Sequence, residues 1–241
     1  MDYRIENKYF VYEDEIAYFK NRLKEIMQPD PHSTDGAYLV RSLYFDDMDD
    51  NAYFRIAAGV DPRSKFRIRT YNNDDSYILL EEKSKRKGFT HKESAVIGRD
   101  IVEKIVRSDS AFNVSKAAEV IKDKEDFLFK RLYCNMNTML LHPVTIVEYE
   151  RTAFIEKAGN VRITFDMNIG AGSAVGRFFD DNIMPVPILK TGMHIMEIKY
   201  DEMLPDHIKN AIDINNLKKS AFSKYYYSRN AFGALTSQEE Y

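Results

Sequence analysis

Cysteine is nearly absent from this chain: Cys134 stands alone. One cysteine excludes an internal disulfide framework and any cysteine-based metal cluster, and it fits a reducing, cytoplasmic setting. Cys134 itself reads as a small buried hydrophobe on a helix. No stretch approaches the roughly 18 uninterrupted apolar residues of a membrane helix. The opening MDYRIENKY is charged from its second residue and has no apolar h-region, so no secretory signal is expected. Internal repeats, low-complexity linkers and the G-x-S-x-G, Walker A and dinucleotide fingerprints are also missing. His32, His91, His142, His194 and His207 are scattered without zinc spacing. Excess positive charge is lacking too. A formal net charge of −3 argues against general nucleic-acid binding, which usually shows a basic domain.

The 241 residues are 44% hydrophobic and 30% charged, enough for a soluble single domain over residues 1–241 with a sizeable core. Within it the charges alternate with apolar residues. The segments are Arg4–Phe10, Lys65–Tyr71, Leu79–Lys85, His91–Ile97, Tyr149–Phe154, Val161–Asp166 and Met196–Tyr200. Strand side chains alternate between faces. Lys65, Arg67 and Arg69 therefore share one face, as do Arg4, Glu6 and Lys8, or Glu81, Lys83 and Lys85, or Glu197 and Lys199. Phe66 and Ile68, or Met196 and Ile198, point the other way. Basic residues also concentrate locally, with Lys65, Arg67, Arg69, Lys83, Lys85, Arg86, Lys87 and Lys92 in one short stretch. A local cationic field in an overall acidic protein suits a small, highly charged anion.

Strands are expected at Asp2–Val11, Tyr38–Asp46, Ser64–Tyr71, Tyr77–Lys85, His91–Ile97, Val144–Phe154, Val161–Asp166 and Met193–Tyr200, with antiparallel turns between several of them. Helical spacing marks Glu13–Met27, Ala52–Ala58, two helices between Gly98 and Leu141 (the longer capped by Ser115), Pro205–Ile214 and Ser220–Gly233. Gly170–Gly176 reads as loop, and the Asp46–Asp50 acids as a solvated turn, since the glycine and terminal glutamate of an EF-hand are missing. Eight or so antiparallel strands can close into a barrel wide enough for one small ligand. Like charges ~4 Å apart cost about 4 kcal/mol at an effective dielectric of ~20. The ladder is therefore cheap on the solvated face of an open sheet, and inside a barrel it is tolerable only where an anion or carboxylates neutralise it.

In order and spacing, R-x-E-x-K-Y at Arg4–Tyr9, VRSLYFD at Val40–Asp46, RIRTY at Arg67–Tyr71, EEKSK…HKES at Glu81–Ser94, YERTAF at Tyr149–Phe154, VRITFD at Val161–Asp166, EIK at Glu197–Lys199 and FSKY at Phe222–Tyr225 resemble the triphosphate tunnel metalloenzyme (CYTH-like) superfamily. The closest likeness is to its VTC, or polyphosphate polymerase, domain. That resemblance implies an α+β fold: an eight-stranded antiparallel β-barrel forming a triphosphate tunnel, with helical insertions and C-terminal helices. It implies phosphate ligands at Lys8, Arg67, Arg69, Lys83, Lys92, Arg151 and Arg162, a closing pair at Ser223 and Lys224, and substrate binding by Lys199 and by Tyr149, the tyrosine that precedes the tunnel arginine. It implies Mn²⁺ or Mg²⁺ on Glu197, assisted by Glu6. The implied ligands are ATP, triphosphate or polyphosphate, and the implied partner is a separate membrane subunit that would hold the chain at the inner face of a membrane. Hydrolase and cyclase branches open with Glu-x-Glu-x-Lys, whereas Arg4 stands here, which tilts toward polymerase over triphosphate hydrolase or non-catalytic binding module.

Overall fold

The protein is described by a computed structural model, which covers residues 4–31, 36–87, 89–107 and 113–233. His32 therefore lies outside the described residues. In chain order the elements are β1 (Ile5–Tyr12), α1 (Glu13–Lys24), β2 (Gln28–Pro29), β3 (Tyr38–Asp46), α2 (Asn51–Ala57), β4 (Arg63–Tyr71), β5 (Asp74–Arg86), β6 (Phe89–Val96) and α3 (Arg99–Val106). There follow α4 (Val114–Ala118), α5 (Phe127–Thr138), β7 (His142–Glu156), β8 (Val161–Gly172), β9 (Val186–Pro187), β10 (Met193–Tyr200), α6 (Asp206–Ala211) and α7 (Lys224–Asn230). Strand pairing runs β1-β10-β8-β7-β3-β4-β5-β6, with β2 on β7 and β9 on β8. The expected α+β class, eight-strand antiparallel path, helical insertion and C-terminal helices are all present.

Contacts divide the chain into two compact units built from interleaved segments: Met1–Leu39, Tyr149–Ile169 and Pro187–Phe222 in the first, and Val40–Glu148, Gly170–Val186 and Ser223–Tyr241 in the second. Each has its own core. In the first, Tyr9 and Val11 of β1, Ile163 and Phe165 of β8, and Met196 and Ile198 of β10 bury against Ile16, Phe19 and Leu23 of α1 and Ile208 of α6. In the second, Leu43 and Phe45, Phe66 and Ile68, and Ile78 and Leu80 pack under α3, α4 and α5. Period-two strands against period-3.6 helices thus consume one sheet face in each unit and leave the other to the charges.

Several local expectations need correction. Among the described residues the 98–141 region holds three α-helices, not two, and Ser115 caps none of them: Asn113 precedes α4, and the Asp126 side chain caps α5 by accepting the Leu128 amide at 2.7 Å. Cys134 lies on α5 but is exposed. The Gly-rich stretch is strand as far as Gly172. Gly170 is needed there because a Cβ would come within 2.6 Å of Pro185 Cβ. The Asp46–Asp50 turn is not solvated throughout: Asp46 and Asp47 are buried. Asp46 accepts backbone N–H groups from Asp47, Ala52 and Tyr53, fixing the β3-to-α2 corner.

Candidate functional site

Register decides which charges meet. In the second unit Tyr44 of β3 lies across from Arg67 of β4, which lies across from Glu81 of β5 and so beside Ser94 of β6. One step along, Lys65, Lys83 and Lys92 line up in the same way. The sheet face opposite the core therefore presents Ser42, Tyr44, Lys65, Arg67, Arg69, Glu81, Lys83 and Lys92.

Glu81 sits at the centre of this ladder and is almost fully buried. Its Oε2 accepts from Arg67 Nε at 2.6 Å and lies 3.8 Å from Arg69 Nη1, while Oε1 accepts from Lys92 Nζ at 2.7 Å. Burial by itself would raise its pKa, but Arg67, Arg69 and Lys92 outweigh burial and hold the carboxyl well below its ordinary 4.5. Arg69 Nε also donates to Ser42 Oγ at 3.0 Å. The carboxylate that makes an inward cationic ladder tolerable is therefore built in.

The C-terminal helix α7 joins the same unit. Ser223 is its N-cap, its Oγ accepting the Tyr226 amide at 3.4 Å, and Lys224 is buried immediately after it. The Tyr225 hydroxyl donates to Asp46, Arg229 reaches Asp50 at 2.7 Å, and Tyr53 stacks on Tyr226 with ring centroids 5.0 Å apart. Burial and the neighbouring Asp46 carboxylate push the Tyr225 phenol far above its ordinary 10.0, so it stays a donor.

In the first unit, β1, β10 and β8 place Glu6, Lys8, Glu197, Lys199, Arg162, Thr164 and Asp166 on one face. Lys8 Nζ lies 3.5 Å from Glu6 and 4.0 Å from Glu197, and donates to the Phe222 carbonyl at 3.0 Å. Lys199 Nζ lies 2.6 Å from Glu197 and 4.0 Å from Glu6. Arg162 is held by Asp30 and by the Tyr38 hydroxyl at 3.1 Å. Arg151 grips Asp166 with two bonds, 2.6 Å and 2.8 Å, and its guanidinium lies 5.2 Å from the Tyr149 ring centroid. Burial opposes the Arg151 charge, but Asp166, Tyr149 and Glu197 overcome it and raise its pKa well above the ordinary arginine value. Arg4 turns to Asp201 at 3.5 Å and to the Asn160 carbonyl.

Glu6 and Glu197 are the carboxylates of this face that could hold a divalent cation, and two carboxylates suit an ion shared with an anionic ligand and water rather than one in a closed cage. Glu6 and Glu197, on adjacent strands, reach the same two ammonium groups. Thr164, directly across from Glu197, carries a buried hydroxyl with no hydrogen-bond partner among the described residues, a polar atom that an ion-bound water or a phosphate oxygen would satisfy. Mg²⁺ is usually held by one or two carboxylates plus phosphate oxygens and water. Among the described residues no group of three or more His, Cys, Asp or Glu forms a self-sufficient metal site.

Each sequence-derived site residue thus falls on one of two clusters: Arg67, Arg69, Lys83, Lys92, Ser223 and Lys224 in the second unit, and Glu6, Lys8, Tyr149, Arg151, Arg162, Glu197 and Lys199 in the first. Asp30 and Asp166, the partners of Arg162 and Arg151, and Asp46, which takes the Tyr225 hydroxyl next to Lys224, carry no local mark in the sequence, because strand register and chain return bring them in. Glu81 stood in the ladder segment, but nothing in its spacing marked it as the shared counter-ion.

The VTC domain family model matches residues 3–232. No curated protein matches the chain. Similar solved structures include the PH1819 protein of Pyrococcus horikoshii OT3, 13% identical over 95% of this chain and 99% of that one with a TM-score of 0.47. The PH1012 protein of the same organism is 14% identical over 92% and 96%, at 0.46. A Bacillus halodurans protein described as a candidate adenylate cyclase is 13% identical over 89% of each chain, at 0.44.

Proposed function

The chain belongs to the VTC domain family, and from that premise we propose that it is a polyphosphate polymerase that moves the γ-phosphoryl group of ATP onto the end of a growing polyphosphate chain. We read residues 1–241 as a single domain serving that reaction. The observation that carries the proposal is the Glu81 cluster: a buried carboxylate holding Arg67, Arg69 and Lys92 on one sheet face. Such a face is preorganised for an anion with several charges, because the cations are fixed before the ligand arrives.

Phosphoryl transfer spreads negative charge over non-bridging oxygens, so positioning and neutralisation are most of the work. Arg67, Arg69, Lys83 and Lys92 would bind non-bridging oxygens, the arginines with their planar forks and the lysines as point charges. Lys224, presented by α7 behind the Ser223 cap, would add charge on the same unit. Lys8, Lys199 and Arg162 would do so on the other, with Arg151 kept in orientation by Asp166 against Tyr149. Glu6 and Glu197 would hold Mn²⁺ or Mg²⁺, which supplies charge neutralisation to the triphosphate when bound. The nucleophile is a terminal phosphate oxygen, already ionised. It bonds to the γ-phosphorus as the bond to the β–γ bridging oxygen breaks, and ADP leaves with that electron pair. No strong general base is needed, which agrees with the engagement of Glu6, Glu81 and Glu197 by cations.

Incubation of the full chain with ATP and Mn²⁺, read by phosphate chain length, tests the proposal. Long chains are expected. Orthophosphate alone would make the protein a triphosphate hydrolase, and tight binding without turnover would make it a binding module.

A further inference from the structure

Tyr44 lies inside the cationic ladder of the second unit, across from Arg67. It is buried on β3. Arg67 is shared between two acceptors: its Nε donates to Glu81 and its Nη1 to the Tyr44 hydroxyl at 3.3 Å. Lys65 Nζ lies 5.5 Å and Arg67 Cζ 6.0 Å from the centroid of the Tyr44 ring. From α7 the Tyr225 ring packs at 5.6 Å, next to Lys224. Among the charged groups around it, Glu81 on β5 is engaged by Arg67, Arg69 and Lys92, and Asp46, two residues along β3, takes the Tyr225 hydroxyl.

Resting on the phosphate-binding reading of this face, we propose that the Tyr44 hydroxyl is the site's own exchangeable anion. As phenolate it answers the charges of Lys65, Arg67, Arg69 and Lys224 while the face is free, and it takes a proton from solvent when substrate phosphate replaces it among those cations. One proton moves: the bond that held it in a solvent or buffer acid breaks as the O–H bond at Oη forms, the acid keeps that electron pair, and no other bond changes.

The electrostatics agree in direction. Burial would push the phenol up, but Arg67, Lys65, Arg69 and Lys224 together overcome burial and bring it from 10.0 down to about 7. A polyanion among the same cations cancels that field, burial then dominates, and the phenol recovers its proton. Binding is thereby linked to proton uptake, and linkage is reciprocal. Above about pH 7 the affinity for triphosphate should fall by up to about tenfold per pH unit from this group alone.

Two measurements on the full chain decide it, with inorganic tripolyphosphate as probe. Ultraviolet titration of the ligand-free protein should show one tyrosinate band rising near neutrality, suppressed by tripolyphosphate and missing in Tyr44→Phe. Calorimetric binding about one pH unit above neutrality, in buffers of different ionisation enthalpy, should show close to one more proton taken up by the wild type than by Tyr44→Phe. The wild-type affinity should also fall more steeply with pH. A ligand-free protein without a neutral tyrosinate band, or equal proton uptake in both proteins, overturns the role of Tyr44 while leaving phosphate binding intact. Failure of tripolyphosphate to bind at any pH overturns the phosphate reading and this inference with it. If Tyr44→Phe does not fold, suppression of the wild-type band by tripolyphosphate decides alone: suppression supports the inference and its absence overturns it.

Discussion

Glu81 shows how much a single residue carries here. It is a buried carboxylate facing Arg67, Arg69 and Lys92, and removing its charge leaves those cations without their common counter-ion. Breaking a buried ion pair from one side typically costs 3–5 kcal/mol. Glu81→Gln is therefore expected to lose about 3 kcal/mol of stability in urea unfolding without ligand, and to regain more from tripolyphosphate than the wild type does. A variant as stable as the parent would mean that the cluster is not organised around Glu81. Because its pKa is lowered in the fold, the contribution of Glu81 is complete above the ordinary 4.5 and is lost as pH falls below that. Asp166→Asn should be comparably damaging by the same argument, since Arg151 gives it two bonds in a fully buried position. Of these residues the cations were legible in the sequence, because i, i+2 spacing alone puts Lys65, Arg67 and Arg69 on one face. Their acids were not: Arg67 finds Glu81 through the β4–β5 register, and Arg162 finds Asp30 across more than a hundred residues.

At the scale of elements, α7 matters most. It is short, and what holds it is the Tyr225 hydroxyl on buried Asp46, Arg229 on Asp50 and the Tyr53–Tyr226 stack. Tyr225→Phe removes the donor from a buried carboxylate, a loss of about 1–3 kcal/mol. It should loosen the placement of Lys224, seen as weaker tripolyphosphate binding alongside the lower unfolding midpoint. Unchanged affinity would separate α7 from the binding face. The strands were read well because alternation is local; Tyr38–Asp46 and Met193–Tyr200 have the expected bounds. The insertion between β6 and β7 was read less well. Its apolar residues follow helical spacing almost continuously, and the break before α5 is made by the Asp126 cap rather than by glycine or proline.

Across the whole molecule, two interleaved units repeat one solution: helices bury the apolar face of the strands, and the opposite face carries basic side chains balanced by a few buried acids. A net charge of −3 hides this, since the balance is struck locally. Among the described residues no helix is long and apolar enough to cross a membrane. A ligand that binds only the folded chain must stabilise it, by about 2.7 kcal/mol at a hundredfold excess over Kd. For a chain of this size that is a rise of roughly 5–10 °C in melting temperature. The most direct measurement is therefore thermal unfolding of the full chain with and without tripolyphosphate, beside Arg69→Ala. A rise of that order in the wild type, much reduced in Arg69→Ala, is expected. No rise with either tripolyphosphate or long-chain polyphosphate would contradict phosphate binding on this face.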